Sequence, residues 1–406
     1  MCFHRKIYVK LIIKERFDYM EKLIHIYQNV FTKSNHLSVY YSPGRVNLIG
    51  EHIDYNGGLV FPAAISIGTY GVVGRRNDQL FQFYSTNYPL EGIIKVHLND
   101  LSFIKEHGWT NYAKGILFEL KNRGYHIPFG FNICVSGNLP TASGLSSSAS
   151  LEVLIAYIAN DLYDLKMTRT EIALLSQAVE NGYMGMHCGI MDQLIIANGV
   201  KDHALLMNTA TLEMTPSIAK FPGYQLLIMN TNYKRKTTDS KYNERVFECN
   251  QALKQIQKQF DVKYLCELKP SQLTEIQDMV TSEILYKRVK HTITEQQRTL
   301  DAMKAMKALD PIQFGKLLNE SHHSLKEDYE VTGMHLDTLV NEAQKAGAVG
   351  ARVTGAGFGG CAIALVKDEL LDEVMKKVEE AYIEKTGIKP EFYRVAFTDG
   401  VHKINI

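Results

Sequence analysis

Gly44-Arg45-Val46-Asn47-Leu48-Ile49-Gly50-Glu51-His52-Ile53-Asp54-Tyr55-Asn56-Gly57-Gly58 packs an arginine, two carboxylates and a histidine into one glycine-bounded stretch. Carboxylates beside an arginine suit a polyol, because each hydroxyl both donates and accepts hydrogen bonds. The same residues could form a solvated turn with a local ion pair. Farther on, Cys188-Gly189-Ile190-Met191-Asp192-Gln193 isolates one aspartate in an apolar segment running to Ile196. Asp192 is then either a helix cap or a buried, partnered acid. Glu180, twelve residues earlier, reads by itself as a surface glutamate.

A second chemistry is written in Pro140-Thr141-Ala142-Ser143-Gly144-Leu145-Ser146-Ser147-Ser148-Ala149-Ser150. Small residues let the backbone approach a polyphosphate, and free N–H groups at a helix start point at the anion. Serine hydroxyls add donors and can give an oxygen to Mg²⁺. A well-capped helix behind a flexible loop would look similar. The order GxxxxGK[ST] is absent, as are the HRD and DFG signatures of protein kinases. Gly355-Ala356-Gly357-Phe358-Gly359-Gly360 satisfies GxGxxG by letter, yet the strand-like CAIALV follows where a dinucleotide fold needs a helix. A hairpin is expected there, its bare backbone a tight turn or a surface packed on ligand or on the serine loop.

The elements that must carry these motifs can be read from residue 37 onward. SVYYSPGRVNLIG and GGLVFPAAISIGTYGVVGRR are strand-like. FNICVSGNLP is another strand, and LEVLIAYIANDLYDLK places apolar residues at 151, 154, 155, 158 and 162, a helical period. The serine loop therefore joins a strand to a helix. Residues 170–200 are helical, HALLMNT and YQLLIMNT are strand-like, and a charged helical region runs from Ser240 to about Gln344. The closing hairpin, a helix over 368–386 and the strand EFYRVAF end the chain, with no internal repeat.

At 406 residues two domains are expected, with the boundary near 205–220: domains of 20–210 and 211–406. Lys plus Arg total 45 against 44 acidic residues, so no global field favours nucleic acid. Six cysteines, with no CxxC pair, read as reduced thiols of a cytoplasmic protein. His322-His323 lacks partners at metal-ligand spacing and reads as surface or core. Charges interrupt every apolar run in Met1–Met20, so neither a signal peptide nor a membrane span is expected. Residues 1–19 read as a dispensable extension before a natural start at Met20.

Taken together and in this order, the motifs resemble those of the GHMP kinases. GRVNLIGEHIDYNGG resembles the signature of the galactose-phosphorylating branch, GLSSSAS the phosphate-binding motif and TGAGFGGC the glycine-rich motif. The resemblance runs from about residue 25 to the C-terminus and takes in SKYNER at 240–245 and SLKEDYEVT at 324–332. It implies an α/β (α+β) fold of two domains, an N-terminal mixed-sheet domain and a C-terminal ferredoxin-like domain, with the active site in the cleft between them. It implies transfer of the γ-phosphoryl of ATP to the anomeric hydroxyl of α-D-galactose, the entry step of galactose metabolism. A kinase for another sugar, such as N-acetylgalactosamine, and a silent galactose and ATP sensor are the alternatives.

By the same resemblance Asp192 is the catalytic aspartate, and Arg45 the arginine beside it and the transferring phosphoryl. Glu51, His52, Ile53, Asp54 and Tyr242 would bind the sugar. Ala142, Ser143, Gly144, Leu145, Ser146, Ser147 and Ser148 would cradle the phosphates, with Ser85 and Trp109 near the adenine. Ser148 and Glu180 would hold Mg²⁺. The family usually has threonine where Ile53 stands and glycine where Ser143 stands, which predicts a lost sugar contact and a stiffer loop. Small-molecule substrates, no nucleic acid, no membrane, and a monomer or weak homo-oligomer are expected.

Overall fold

In the computed structural model of the chain the described residues are 19–31, 36–140, 143–233 and 238–405, with 238–240 as backbone only. The β-branched and aromatic runs form a six-stranded sheet in the order His402–Ile404, Leu37–Asn47, Pro62–Arg75, Phe131–Gly137, Leu80–Ser85, Ile94–His97. It is mixed: Leu80–Ser85 runs parallel to Phe131–Gly137, and the other pairs are antiparallel. Side chains alternate across a strand. Tyr40 accordingly joins the large core made with helices Thr110–Asn122, Ser147–Tyr163, Arg169–Ala178 and Met191–Asn198. Val39 and Tyr41 face the other way, onto Leu23, Tyr27 and Phe31 of the segment that opens with the helix 19–30.

A second, wholly antiparallel sheet runs Gly350–Thr354, Cys361–Lys367, Tyr224–Asn230, Glu391–Arg394. With its intervening helices the chain order is strand, helices, strand, strand, helix, strand, which is the ferredoxin-like arrangement. Both expected sheets are therefore present, and the glycine-rich stretch does turn a hairpin between Gly350–Thr354 and Cys361–Lys367.

The expected division at 210/211 needs correction. Met214–Ile218 pairs with His203–Asn208, and that hairpin with Leu59–Val60 forms a third sheet that cannot be cut at its turn. The chain also returns: His402–Ile404 pairs with Leu37–Asn47 in the first sheet. Hydrogen bonding thus puts the crossover between Ile218 and Tyr224, and gives the last residues back to the first unit.

Of the stretch 1–19, only Tyr19 lies among the described residues; its ring packs 5.0 Å from Tyr70 and its hydroxyl meets Ser136. His322 pairs with Asp337, His323 is exposed, and no group among the described residues could hold a metal through three or more His, Cys, Asp or Glu side chains. The five described cysteines are free. No helix among the described residues is long and apolar enough to cross a membrane.

Candidate active site

Arg45 lies near the end of Leu37–Asn47, just after a register shift between Pro43 and Gly44. Such a bulge re-aims the side chains that follow it. Gly44 lets the strand close on the serine loop, since a Cβ there would meet the Leu145 carbonyl at 2.9 Å. Arg45 N–H donates to that carbonyl at 3.3 Å.

The Arg45 guanidinium forms a two-pronged pair with Asp192, Nε to Oδ1 at 2.7 Å and Nη2 to Oδ2 at 2.8 Å. Its Nη1 donates to the Gly144 carbonyl. Ser146 Oγ donates to Asp192 Oδ2 at 2.5 Å. Burial works against the charge on Arg45, but Asp192 and then Glu51 outweigh it and strengthen the cationic form. Asp192 sits in the first turn of Met191–Asn198 with part of its side chain open to the cleft. It is a partnered acid in the first turn of a helix whose N-cap is Ile190 and which no side chain caps, so the partnered reading of the isolated aspartate holds and the cap reading does not.

The loop of the residues expected to bind sugar follows the strand. Asp54 is half-buried, and its carboxyl rests against the Gly189 backbone, where a Cβ would clash at 1.8 Å. Burial, then the charges of Asp192 and Glu51, push Asp54 up to about 7. His52 is buried, with Nε2 3.1 Å from the Ala356 carbonyl and Nδ1 3.0 Å from the Tyr55 hydroxyl. Burial, with His291 adding to it, lowers His52 to about 3, so the ring is neutral. A neutral ring facing a carbonyl through Nε2 carries its proton there, and Nδ1 then accepts from Tyr55. Tyr242 comes from the helix Thr238–Ile256 of the second unit, with its ring 5.6 Å from His52 and 5.5 Å from Tyr55.

Two expectations change here. The Ile53 side chain is fully buried and packs in the large apolar core rather than among the polar groups of this wall. A threonine there would place its hydroxyl among apolar side chains, so the departure removes nothing from the site. Glu51 is buried as well, and both its oxygens already accept bonds from the chain. Oε2 takes Arg352 Nη2 at 2.6 Å and Asn47 Nδ2 at 2.7 Å, and Oε1 takes Gly355 N–H at 2.5 Å. Its first role is to tie the sugar loop to the glycine-rich hairpin.

On the nucleotide side, Ser143 Oγ donates to the Pro140 carbonyl at 2.7 Å and Leu145 is buried. Ala142 lies outside the described residues. Ser147 is exposed at the start of the helix Ser147–Tyr163, which no side chain caps. The loop contains two left-handed residues, Gly144 at φ 74° and Ser146 at φ 63°. Gly355 and Gly360 lie directly on it, because Cβ atoms there would sit 2.7 Å from the Gly144 carbonyl and 2.6 Å from that of Ser143. Ser85 ends its strand on the same face as Phe83, and Phe83 meets Trp109 edge-on at 6.4 Å. The two adenine-side candidates therefore lie on one face of the first sheet.

Ser148 Oγ donates to Glu180 Oε1 at 2.9 Å. Glu180 is buried in a widened turn, Val179–Tyr183, so it is no surface glutamate. Gln193 Nε2 and Cys188 Sγ donate to its Oε2. Burial raises Glu180, against the Ser148 hydrogen bond. One turn past Ser148, Glu152 is fully buried, and burial and then the Glu180 charge push its carboxyl well up, against a hydrogen bond from Gln193. A hydroxyl and a carboxylate converging beside such unbalanced acids make a donor set that a hard divalent cation fits.

Sequence reading missed Glu152, Gln193, Arg352, Tyr55 and Tyr329. Glu152 in LEVLIA and Arg352 in GARVTG carried the signal used for Asp192, a lone charge in apolar text. Tyr329 lay within the SLKEDYEVT stretch but was given no role there; its hydroxyl meets that of Tyr55 at 2.9 Å and its ring packs 5.0 Å from His52.

Comparison with known proteins bears on the same segments. A galactokinase galactose-binding signature matches residues 25–75, the GHMP kinases N terminal domain residues 111–200 and the GHMP kinases C terminal domain residues 302–384. A galactokinase of Clostridium acetobutylicum is 46% identical over 96% of this chain and 100% of its own length. The chain belongs to the galactokinase family of GHMP kinases. A galactokinase of Staphylococcus saprophyticus is 49% identical over 89% of this chain and 94% of its own. The crystal structure of Lactococcus lactis galactokinase complexed with galactose superposes with a TM-score of 0.93, at 44% identity, over 95% of this chain and 100% of that one. A mevalonate kinase at 22% identity and TM-score 0.63 shares the fold alone. Galactokinase membership agrees with the site, where the sugar motif and the phosphate loop meet at Arg45 and Asp192.

Proposed function

We propose that this galactokinase-family protein transfers the γ-phosphoryl of ATP to the anomeric hydroxyl of α-D-galactose, giving galactose 1-phosphate and ADP. The observation that carries the reading is the Arg45–Asp192 pair, bonded to the phosphate loop at both Gly144 and Ser146. It sets an acid beside the sugar loop and a guanidinium beside the phosphates. The galactokinases of Clostridium acetobutylicum and Staphylococcus saprophyticus, and the galactose-bound relative from Lactococcus lactis, support galactose as acceptor.

Asp192 accepts the hydrogen bond of the anomeric hydroxyl and receives its proton as the oxygen attacks phosphorus. Of the five N–H donors on a guanidinium, three are used on Asp192 and Gly144, which leaves two for the phosphoryl oxygens. Asp54, Glu51, His52 and Tyr242 form the sugar side. Gly144, Ser146 and Ser147 with the uncapped helix start receive the phosphates, and Ser85 and Trp109 the adenine side. Ser148 and Glu180 would hold Mg²⁺, which when bound neutralises phosphate charge. Catalysis is then positioning and electrostatics.

The test is ADP production with galactose, glucose and N-acetylgalactosamine as acceptors. Galactose should exceed glucose by roughly 10⁴-fold, since a site built for one hydroxyl rejects its epimer. A higher rate on N-acetylgalactosamine than on galactose would overturn the substrate, and no ADP with any sugar would overturn catalysis. Placement in the cytoplasm and a monomeric or weakly associated state complete the reading.

A further inference from the structure

The sugar loop is held from behind by the helix Glu283–Lys307, which belongs to the other half of the fold. Glu295 on that helix is fully buried. Its Oε1 accepts from Gly50 N–H at 3.0 Å, Glu51 N–H at 3.3 Å and Ser321 Oγ at 2.7 Å. Its Oε2 accepts from Arg298 Nε at 2.7 Å. One turn earlier, His291 Nε2 donates to the Glu51 carbonyl at 3.0 Å. The helix thus grips the backbone of Glu51 on both its N–H and its C=O.

That grip coincides with backbone strain. Gly50 at φ 98° and His52 at φ 61° are both left-handed, one on each side of Glu51. Glycine tolerates this region, but histidine pays for it and persists there only where the surroundings hold it. The two left-handed residues aim the side chains of Glu51 and His52, and through them the short helical turn Asp54–Asn56.

We propose that Glu295 is a positioning residue for the sugar: it holds the Gly50 and Glu51 amides so that the strained loop keeps its galactose-binding shape. Its partners are the Gly50 and Glu51 amides, Ser321 and Arg298, none of them in the phosphate loop, so its effect should fall on one substrate. Burial pushes its carboxyl up, but Arg298, then His291 and Arg352, outweigh that and hold it at about 2, which keeps it an anionic acceptor. Charge-assisted bonds to amides are roughly twice as strong as neutral ones. The inference rests on the galactose reading of the loop.

The test compares Glu295→Gln and Glu295→Ala with the wild type, reading KM for galactose, KM for ATP and melting temperature. Glu295→Ala should raise the galactose KM about tenfold or more while the ATP KM stays within about twofold. Glu295→Gln, which keeps an acceptor but loses its charge, should lie between. Parallel rises in both KM values, or an unchanged galactose KM in a folded variant, would overturn the proposal. If the alanine variant does not fold, the glutamine variant decides by the same criterion. Failure of the wild type to use galactose would instead overturn the proposed substrate, and the KM of the sugar it does use would then be read across the same variants.

Discussion

Asp192 is fixed before any substrate arrives, by two contacts from Arg45 and one from Ser146. An acid so constrained loses little freedom when the sugar hydroxyl approaches, which is where an enzyme gains from preorganisation. Asp192→Ala should therefore lower kcat by roughly 10³-fold or more, while calorimetry still detects galactose binding. Near-normal turnover in that variant would remove Asp192 from its role. Asp54 makes a second prediction, of pH dependence. With its carboxyl raised to about 7, it is increasingly ionised, and a better acceptor for sugar hydroxyls, as pH rises through that value. The galactose KM should fall between pH 6 and 8, and Asp54→Asn should flatten the profile. Because the Asp192 charge is part of the cause, galactose titrations of Asp192→Asn should show the midpoint moved down.

Among elements, the glycine-rich hairpin does the least visible work. It bears none of the assigned catalytic or ligand side chains, yet its bare backbone forms the floor under Ser143 and Gly144. Adding a methyl at Gly355, at φ 82° and 2.7 Å from the Gly144 carbonyl, must displace one loop or the other. Gly355→Ala should raise the ATP KM by roughly tenfold to a hundredfold, with galactose binding much less affected; equal losses on both substrates would argue against a nucleotide-specific floor. The hairpin was legible in the sequence because strand, glycine run and strand are contiguous. Its role was left open between a tight turn and a surface packed on ligand or on the phosphate loop, and the structure shows the contact with the phosphate loop.

For the molecule as a whole, the two halves are joined by buried charge as well as by apolar packing. Arg352, fully buried in Gly350–Thr354, reaches across to Glu51 and to the carbonyls of Asn47 and Leu48. Breaking such a pair leaves a buried carboxylate uncompensated, at a cost of about 3–5 kcal/mol. Arg352→Leu should lose that much in denaturant unfolding, and adding Glu51→Gln should recover part of it. A double variant no more stable than the single would mean that the pair is not coupled. The crossing is reinforced at the chain end, where His402–Ile404 joins the first sheet. The sequence suggested a division at 210/211 because motif content changes there, but strand pairing ignores motif content.

Within short spans the sequence was decisive. Helical and strand periods, the serine loop between strand and helix, and the clustering of Arg45, Glu51 and Asp54 follow from residues lying close together in the chain, whereas Glu180 read by itself as a surface glutamate and the role of Asp192 came from the family resemblance. Partner choice did not follow. Arg45 meets Asp192 across 147 positions, Gly50 meets Glu295 across 245, and Glu51 meets Arg352 across 301. Local propensity acts over a few residues, whereas a charge takes whichever partner the packing of sheets and helices brings near. For the same reason Ile53 looked like a gap in the sugar motif until the fold turned it into the core.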